Sequence, residues 1–201
     1  MDWKEKIDEC CADELEEMII NDVKAGFLSN DEILEKYEEY IEENYPDDSD
    51  NITSDELSEI IAAYRNEFQN TGDQENFLKL DSAFKNLEKQ GIVALHCAGY
   101  VQSDGFDDCN EIAAEREENG EKVIGCCFYT MQDLERILDD QNALLYVAFG
   151  NYFDEPTAVE IGHMIVKEFE AAGFAIQWPQ TEDTRIAIKG LTWDKQYSDN
   201  E

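Results

Sequence analysis

Positive charge is what this chain has least of. Fifteen lysines and arginines stand against 49 aspartates and glutamates, giving a formal net charge of −34, and only four of the fifteen are arginine. A surface so short of cations repels phosphate backbones, which excludes direct nucleic-acid binding. It attracts basic proteins and speeds their encounter. Long apolar runs are also missing. No stretch reaches the ~18 residues of a membrane span. "MDWKEKIDECCADELEE" has no basic segment followed by an apolar core, so no secretory signal is expected and the cytoplasm is the expected location. Absent too are CxxC, HExxH, a phosphate-binding P-loop, GxGxxG after a strand and GxSxG. No cofactor and no metal are therefore expected.

Six cysteines are present, four of them in the adjacent pairs Cys10–Cys11 and Cys126–Cys127. Neighbours on a helix or strand point different ways, so neither pair is a ready chelate. Reduced, mostly buried thiols are expected. "DSDNITSDELSE" from Asp48 imitates a calcium loop, but Ile52 and Thr53 occupy positions that need a ligand and a glycine, which argues against an EF-hand.

The first third reads as helices. Trp3, Ile7, Cys11, Leu15, Met18, Ile19 and Val23 recur at three- and four-residue steps, with acids opposite. Ser29 with Glu32 and Thr53 with Glu56 have capping-box spacing and open two more helices. "QNTGD" near residue 72 marks the clearest boundary. Beyond it, a helix (Phe77, Leu80, Phe84, Leu87) stops at Gly91. Short apolar runs then alternate with amphipathic stretches: "IVALHCA", "VIGCCFY", "ALLYVAFG", "FAIQW" and "RIAIKG". Pro156 suits a first helical position, and "WDKQYSDNE" reads as a polar tail. This pattern predicts an α/β fold. Its mixed, mostly parallel five-stranded sheet ends in a C-terminal antiparallel hairpin and is preceded by an all-helical N-terminal region. The expected division is residues 1–72, acidic and helical, and residues 73–201, α/β. Residues 1–75 hold 25 acids and 5 bases, so the helical part is the more acidic.

"ALHCAGYVQSDGFDD" at residues 94–108 holds the densest polar chemistry. Ligands in open α/β sheets bind outside the carboxyl ends of strands. With the first four strands parallel, the turns leaving strands one to three and the closing hairpin would share one rim. His96, Tyr100, Gln102, Ser103, Asp104, Tyr129, Asn151, Asp183 and Arg185 would gather there, with Asp107 on the following helix. On the scaffold reading, which is preferred, Ser103 or Asp104 caps that helix, Asp107 and Asp108 sit in its first turn, and Arg185 ties the hairpin to the turn. On the functional reading, Arg185 clamps a carboxylate or phosphate while His96 or Asp104 serves as acid or base. His96 and Cys97 are neighbours on a strand and point to opposite faces, so they form no nucleophile–base pair. Each histidine is expected to be a packing residue.

"GIVALHCAGYVQSDGFDD", "CCFYTMQDLERIL", "LYVAFG" and "DTRIAI" together resemble an uncharacterised bacterial domain family over roughly residues 80–190. The resemblance implies one C-terminal unit and no particular reaction, and residues 1–72 lie outside it. The function expected is that of a non-catalytic binding or interaction protein, such as an inhibitor or immunity-type partner of a basic protein. The alternative is a small-molecule-binding domain or enzyme using His96, Tyr100, Gln102, Ser103, Asp104, Asp107 and Arg185.

Overall fold

The computed structural model describes residues 3–198 and contains seven α-helices and a five-stranded mixed sheet among them. Chain contacts separate two compact units among the described residues: residues 3–74 together with 194–198, and Glu75–Trp193.

The first unit holds α1 (Glu9–Ala25), α2 (Asn30–Asn44) and α3 (Ser54–Phe68), after a 3-10 turn at Trp3–Glu5. Leu15, Ile19 and Val23 of α1, Ile33, Tyr37 and Ile41 of α2, and Leu57 and Ile61 of α3 form its core. Both capping boxes close as the spacing predicts. Ser29 Oγ accepts from Glu32 N at 3.1 Å, Thr53 Oγ1 accepts from Glu56 N at 3.3 Å, and each glutamate returns a bond to its cap's N–H. One acid is taken into this core. Asp22, 4 % exposed, accepts from Tyr37 Oη at 2.5 Å and Lys36 Nζ at 2.7 Å. Partners of this kind are what a buried carboxylate requires.

The segment read as a polar tail is packed through its described residues. Lys195 is 3 % exposed, with its ammonium 5.1 Å from the Phe27 ring. Asn70 Nδ2 donates to Lys195 O at 3.0 Å, and Gln196 N donates to Gln74 Oε1 at 2.8 Å. A lysine's aliphatic stem supplies apolar contact that a count of polar residues misses. Gly26, the C-cap of α1, makes this approach possible. Its φ is +73°, and a Cβ there would stand 2.9 Å from the Lys195 carbonyl oxygen.

The second unit holds α4 (Glu75–Glu88), β1 (Ile92–Leu95), α5 (Gln102–Glu118), β2 (Gly125–Phe128), α6 (Met131–Asp139), β3 (Leu145–Asn151), α7 (Ala158–Ala171), β4 (Ala175–Gln177) and β5 (Ile186–Lys189). All five strands fall where the apolar runs place them. The sheet order is β1-β2-β3-β5-β4. Only β1 and β2 are parallel; β2–β3, β3–β5 and β5–β4 are antiparallel. The sheet is therefore not mostly parallel, and the expectation of a shared rim for the first three turns and the hairpin fails. The connection through α6 starts and ends at the same end of the sheet, so β3 runs back beside β2. Alternation of strand and helix in a sequence does not encode that choice. The closing hairpin is antiparallel as read. Pro156 lies one residue before the actual N-cap, Thr157, so it is not the first helical residue.

Alternation along the strands separates two faces. Val93, Cys126, Phe128 and Ala148 pack with Cys109 and Ala113 of α5. On the other face, Phe84 of α4 stacks on Phe169 of α7 with centroids 5.7 Å apart. Gly162 of α7 lets Trp178 pack closely, since a Cβ would meet its ring at 2.4 Å.

Gly26→Ala is expected to destabilise the protein by on the order of 1–3 kcal/mol in chemical denaturation, combining left-handed strain with the clash. Gly120→Ala, with φ +81° but nothing within 4 Å of a Cβ, is expected to cost less; equal losses would show that the Lys195 contact contributes nothing.

Candidate functional site

Residues 94–108 build a strand end, a turn and a helix start. His96 follows β1 on the face that meets α4. Its ring stacks on Phe84 with centroids 4.2 Å apart, Nδ1 lies 3.0 Å from Tyr129 Oη, and Nε2 faces Asp81 Oδ1 at 3.6 Å. Asp81 also takes Lys85 Nζ at 2.7 Å. The His96 ring beside it, with Lys85 adding, holds the Asp81 carboxyl below the usual carboxylate range.

The turn is organised by Asp104. Its carboxylate accepts the N–H groups of Val101 at 3.1 Å and Tyr100 at 3.2 Å, and Ser103 Oγ at 3.2 Å. These bonds, that from Val101 first, lower its pKa. α5 therefore starts at Gln102, a few residues before the predicted start, and Asp104 caps it from inside the first turn. Gly105 is required by packing, because a Cβ there would meet the Phe128 ring at 2.2 Å. Tyr100 is 53 % exposed, with its hydroxyl 3.2 Å from Glu135 Oε2. Asp107 stands exposed on α5.

Arg185 precedes β5. Val147 pairs with Ile186, so one step further Arg185 lies across from Ala148, on the α5 face. His96 and Arg185 thus sit on opposite faces of the sheet and share no cavity. The partner of Arg185 is Asp133, not the turn after β1. Arg185 Nη1 reaches Asp133 Oδ2 at 2.7 Å and Oδ1 at 3.0 Å, and its guanidinium lies 4.9 Å from the Tyr146 ring. Asp133, its side chain 2 % exposed, also takes Arg136 Nη1 at 2.7 Å and Thr130 Oγ1 at 3.1 Å. Thr130 and Asp133 close a capping box at the start of α6, but nothing local announces that Asp133 also binds a residue 52 positions on. Among the rim residues read from the sequence, Gln102, Asp183 and Arg185 meet at one cleft. They line a space of about 290 Å³ with Tyr146, Ala148, Phe149, Glu182 and Thr184.

The arrangement holds polar groups for binding. Among the described residues no three His, Cys, Asp or Glu side chains are placed to hold a metal ion, and no helix is long and apolar enough to cross a membrane.

By fold this is a two-part protein, a helical unit and a mixed α/β unit, with a polar cleft beside the closing hairpin. The chain belongs to the family DUF6891, described as a domain of unknown function, which matches residues 8–197. The match takes in the helices of residues 8–72 that the sequence reading left outside. No curated protein and no solved structure matches the chain.

Asp81 has a folded pKa below its unfolded value, so its contribution is present above the unfolded pKa and is lost as pH falls through the folded one. Stability measured from pH 6 downward is expected to fall below about pH 4, and Asp81→Asn is expected to lower stability at neutral pH and flatten that acid limb. An unchanged slope in the variant would remove Asp81 from the account.

Proposed function

We propose that this protein is a non-catalytic interaction protein whose acidic helical unit takes a basic protein as its partner. The observation that carries the reading is the one-sided charge of residues 31–59. Asp31, Glu32, Glu35, Glu39, Glu42, Glu43, Asp47, Asp50, Asp55 and Glu59 are all exposed there. The one base in this stretch, Lys36, is held by Asp22 at 2.7 Å. Carboxylates fixed on the outer faces of two capped helices make a rigid field rather than a floppy tail, and such a field steers cationic surfaces and repels phosphate backbones. The separation of His96 from Arg185 supports a binding role over a catalytic one. The inhibitor or immunity class fits this behaviour, with the bacterial cytoplasm as its setting, where the free thiols of all six cysteines stay reduced.

Immobilised protein is expected to retain basic proteins such as cytochrome c at about 20 mM salt and to release them above about 300 mM, where screening shortens the field to a few ångströms. Replacing Glu35, Glu39, Glu42 and Glu43 by Gln is expected to weaken retention about tenfold. No retention at low salt, or retention indifferent to the four substitutions, overturns the reading.

A further inference from the structure

The hairpin cleft has a feature that the acidic surface does not explain. Asp133 is one carboxylate shared by two guanidinium groups, each through Nη1. That leaves one positive charge in excess, in a protein carrying −34. Arg185 makes no other hydrogen bond among the described residues, so its Nε and Nη2 are left as donors. The ring of Tyr146 and the Asp133 carboxylate fix the guanidinium plane. Gln102, at the first turn of α5, brings its side-chain amide to the same cleft, and that amide also has no hydrogen-bond partner among the described residues. The hairpin supplies the opposite chemistry. Glu182 and Asp183 are exposed carboxylates without a counter-ion among the described residues. Ala148 lines the cleft on the face of Arg185, while the Phe149 ring turns to the other face and packs on Trp178.

We infer that this cleft binds a small zwitterion, an α-amino acid. Its carboxylate takes Nε and Nη2 of Arg185 with help from Gln102, and its ammonium meets Glu182 and Asp183. A guanidinium already oriented by a buried carboxylate loses little freedom on meeting a second carboxylate, which favours the bidentate geometry arginine offers. The donor side alone would take any oxyanion. The two hairpin acids discriminate against phosphate and dicarboxylates by repulsion and select a ligand that brings its own cation. A cleft of about 290 Å³ is at the small end of ligand sites. The site is separate from the acidic face proposed to meet a basic partner, and either can fail without the other.

The test is a two-dimensional amide NMR titration of the full chain with L-valine, with 3-methylbutanoate (valine without its amine) and with 2-methylpropylamine (valine without its carboxylate). Saturable shifts at Gln102, Tyr146 and residues 182–185 are expected with L-valine, and each fragment is expected to bind at least tenfold more weakly. Arg185→Lys is expected to abolish binding. The double variant Glu182→Gln, Asp183→Asn is expected to weaken L-valine about tenfold and to leave 3-methylbutanoate binding no weaker. Because Arg185 also holds Asp133, Gln102→Ala on the exposed helix start provides a variant that folds normally, with several-fold weaker binding expected. Absence of saturable shifts, equal binding of valine and 3-methylbutanoate, or a double variant that binds valine normally overturns the inference.

Discussion

The α/β unit turns on one buried carboxylate. Asp133 has almost no access to water, and an ionised group in that position is tolerated only when its oxygens are met by charge and hydrogen bonds. Thr130, Arg136 and Arg185 meet them. The first two belong to the helix that Asp133 starts. The third comes from the far strand and fastens the closing hairpin to the α6 end of the sheet. That pairing engages one end of the Arg185 guanidinium, Nη1, with Asp133. Strand alternation puts His96 on the opposite face of the sheet, in an aromatic packet with Phe84 and Tyr129.

The helical unit solves a different electrostatic problem. Its stripe of apolar residues buries cleanly, while nearly all its acids stay in water, where repulsion is screened. The exception, Asp22, carries a tyrosine hydroxyl and a lysine ammonium with it. Several of the remaining acids are used locally. Glu32 and Glu56 sit at the third position of α2 and α3 and close their capping boxes. Lys4 pairs with Glu16 and Lys6 with Glu56, so the scarce bases are spent near the start of the chain. The acids of α2 beyond its first turn and of the following loop have almost no such partners, and there the field is strongest.

Much of this fold was legible in the sequence because it is written in local chemistry. Capping boxes at Ser29 and Thr53, apolar steps of three and four, and five short β-branched or apolar runs each follow from neighbours within a turn or two. Strand direction did not follow, since it depends on where α6 leaves the chain after Asp139, and no residue there announces up or down. The same limit applied to the site. Asp104 was legible as a cap and Arg185 as a cation that would find an acid. Which acid was not, because Thr130–Asp133 and Arg185 are joined only through the tertiary fold. The packing of Lys195 was hidden for a related reason: a polar count records its ammonium and overlooks its stem.

The central claim is that Asp133 and Arg185 act as one unit, holding the hairpin and orienting the free edge of the guanidinium. A double-mutant cycle measures this directly, with Asp133→Asn, Arg185→Gln and the pair compared by chemical denaturation. The account predicts a coupling energy of about 1–3 kcal/mol between the two positions. Losses that add to within about 0.5 kcal/mol would show that the two residues stabilise the protein independently, and would contradict it.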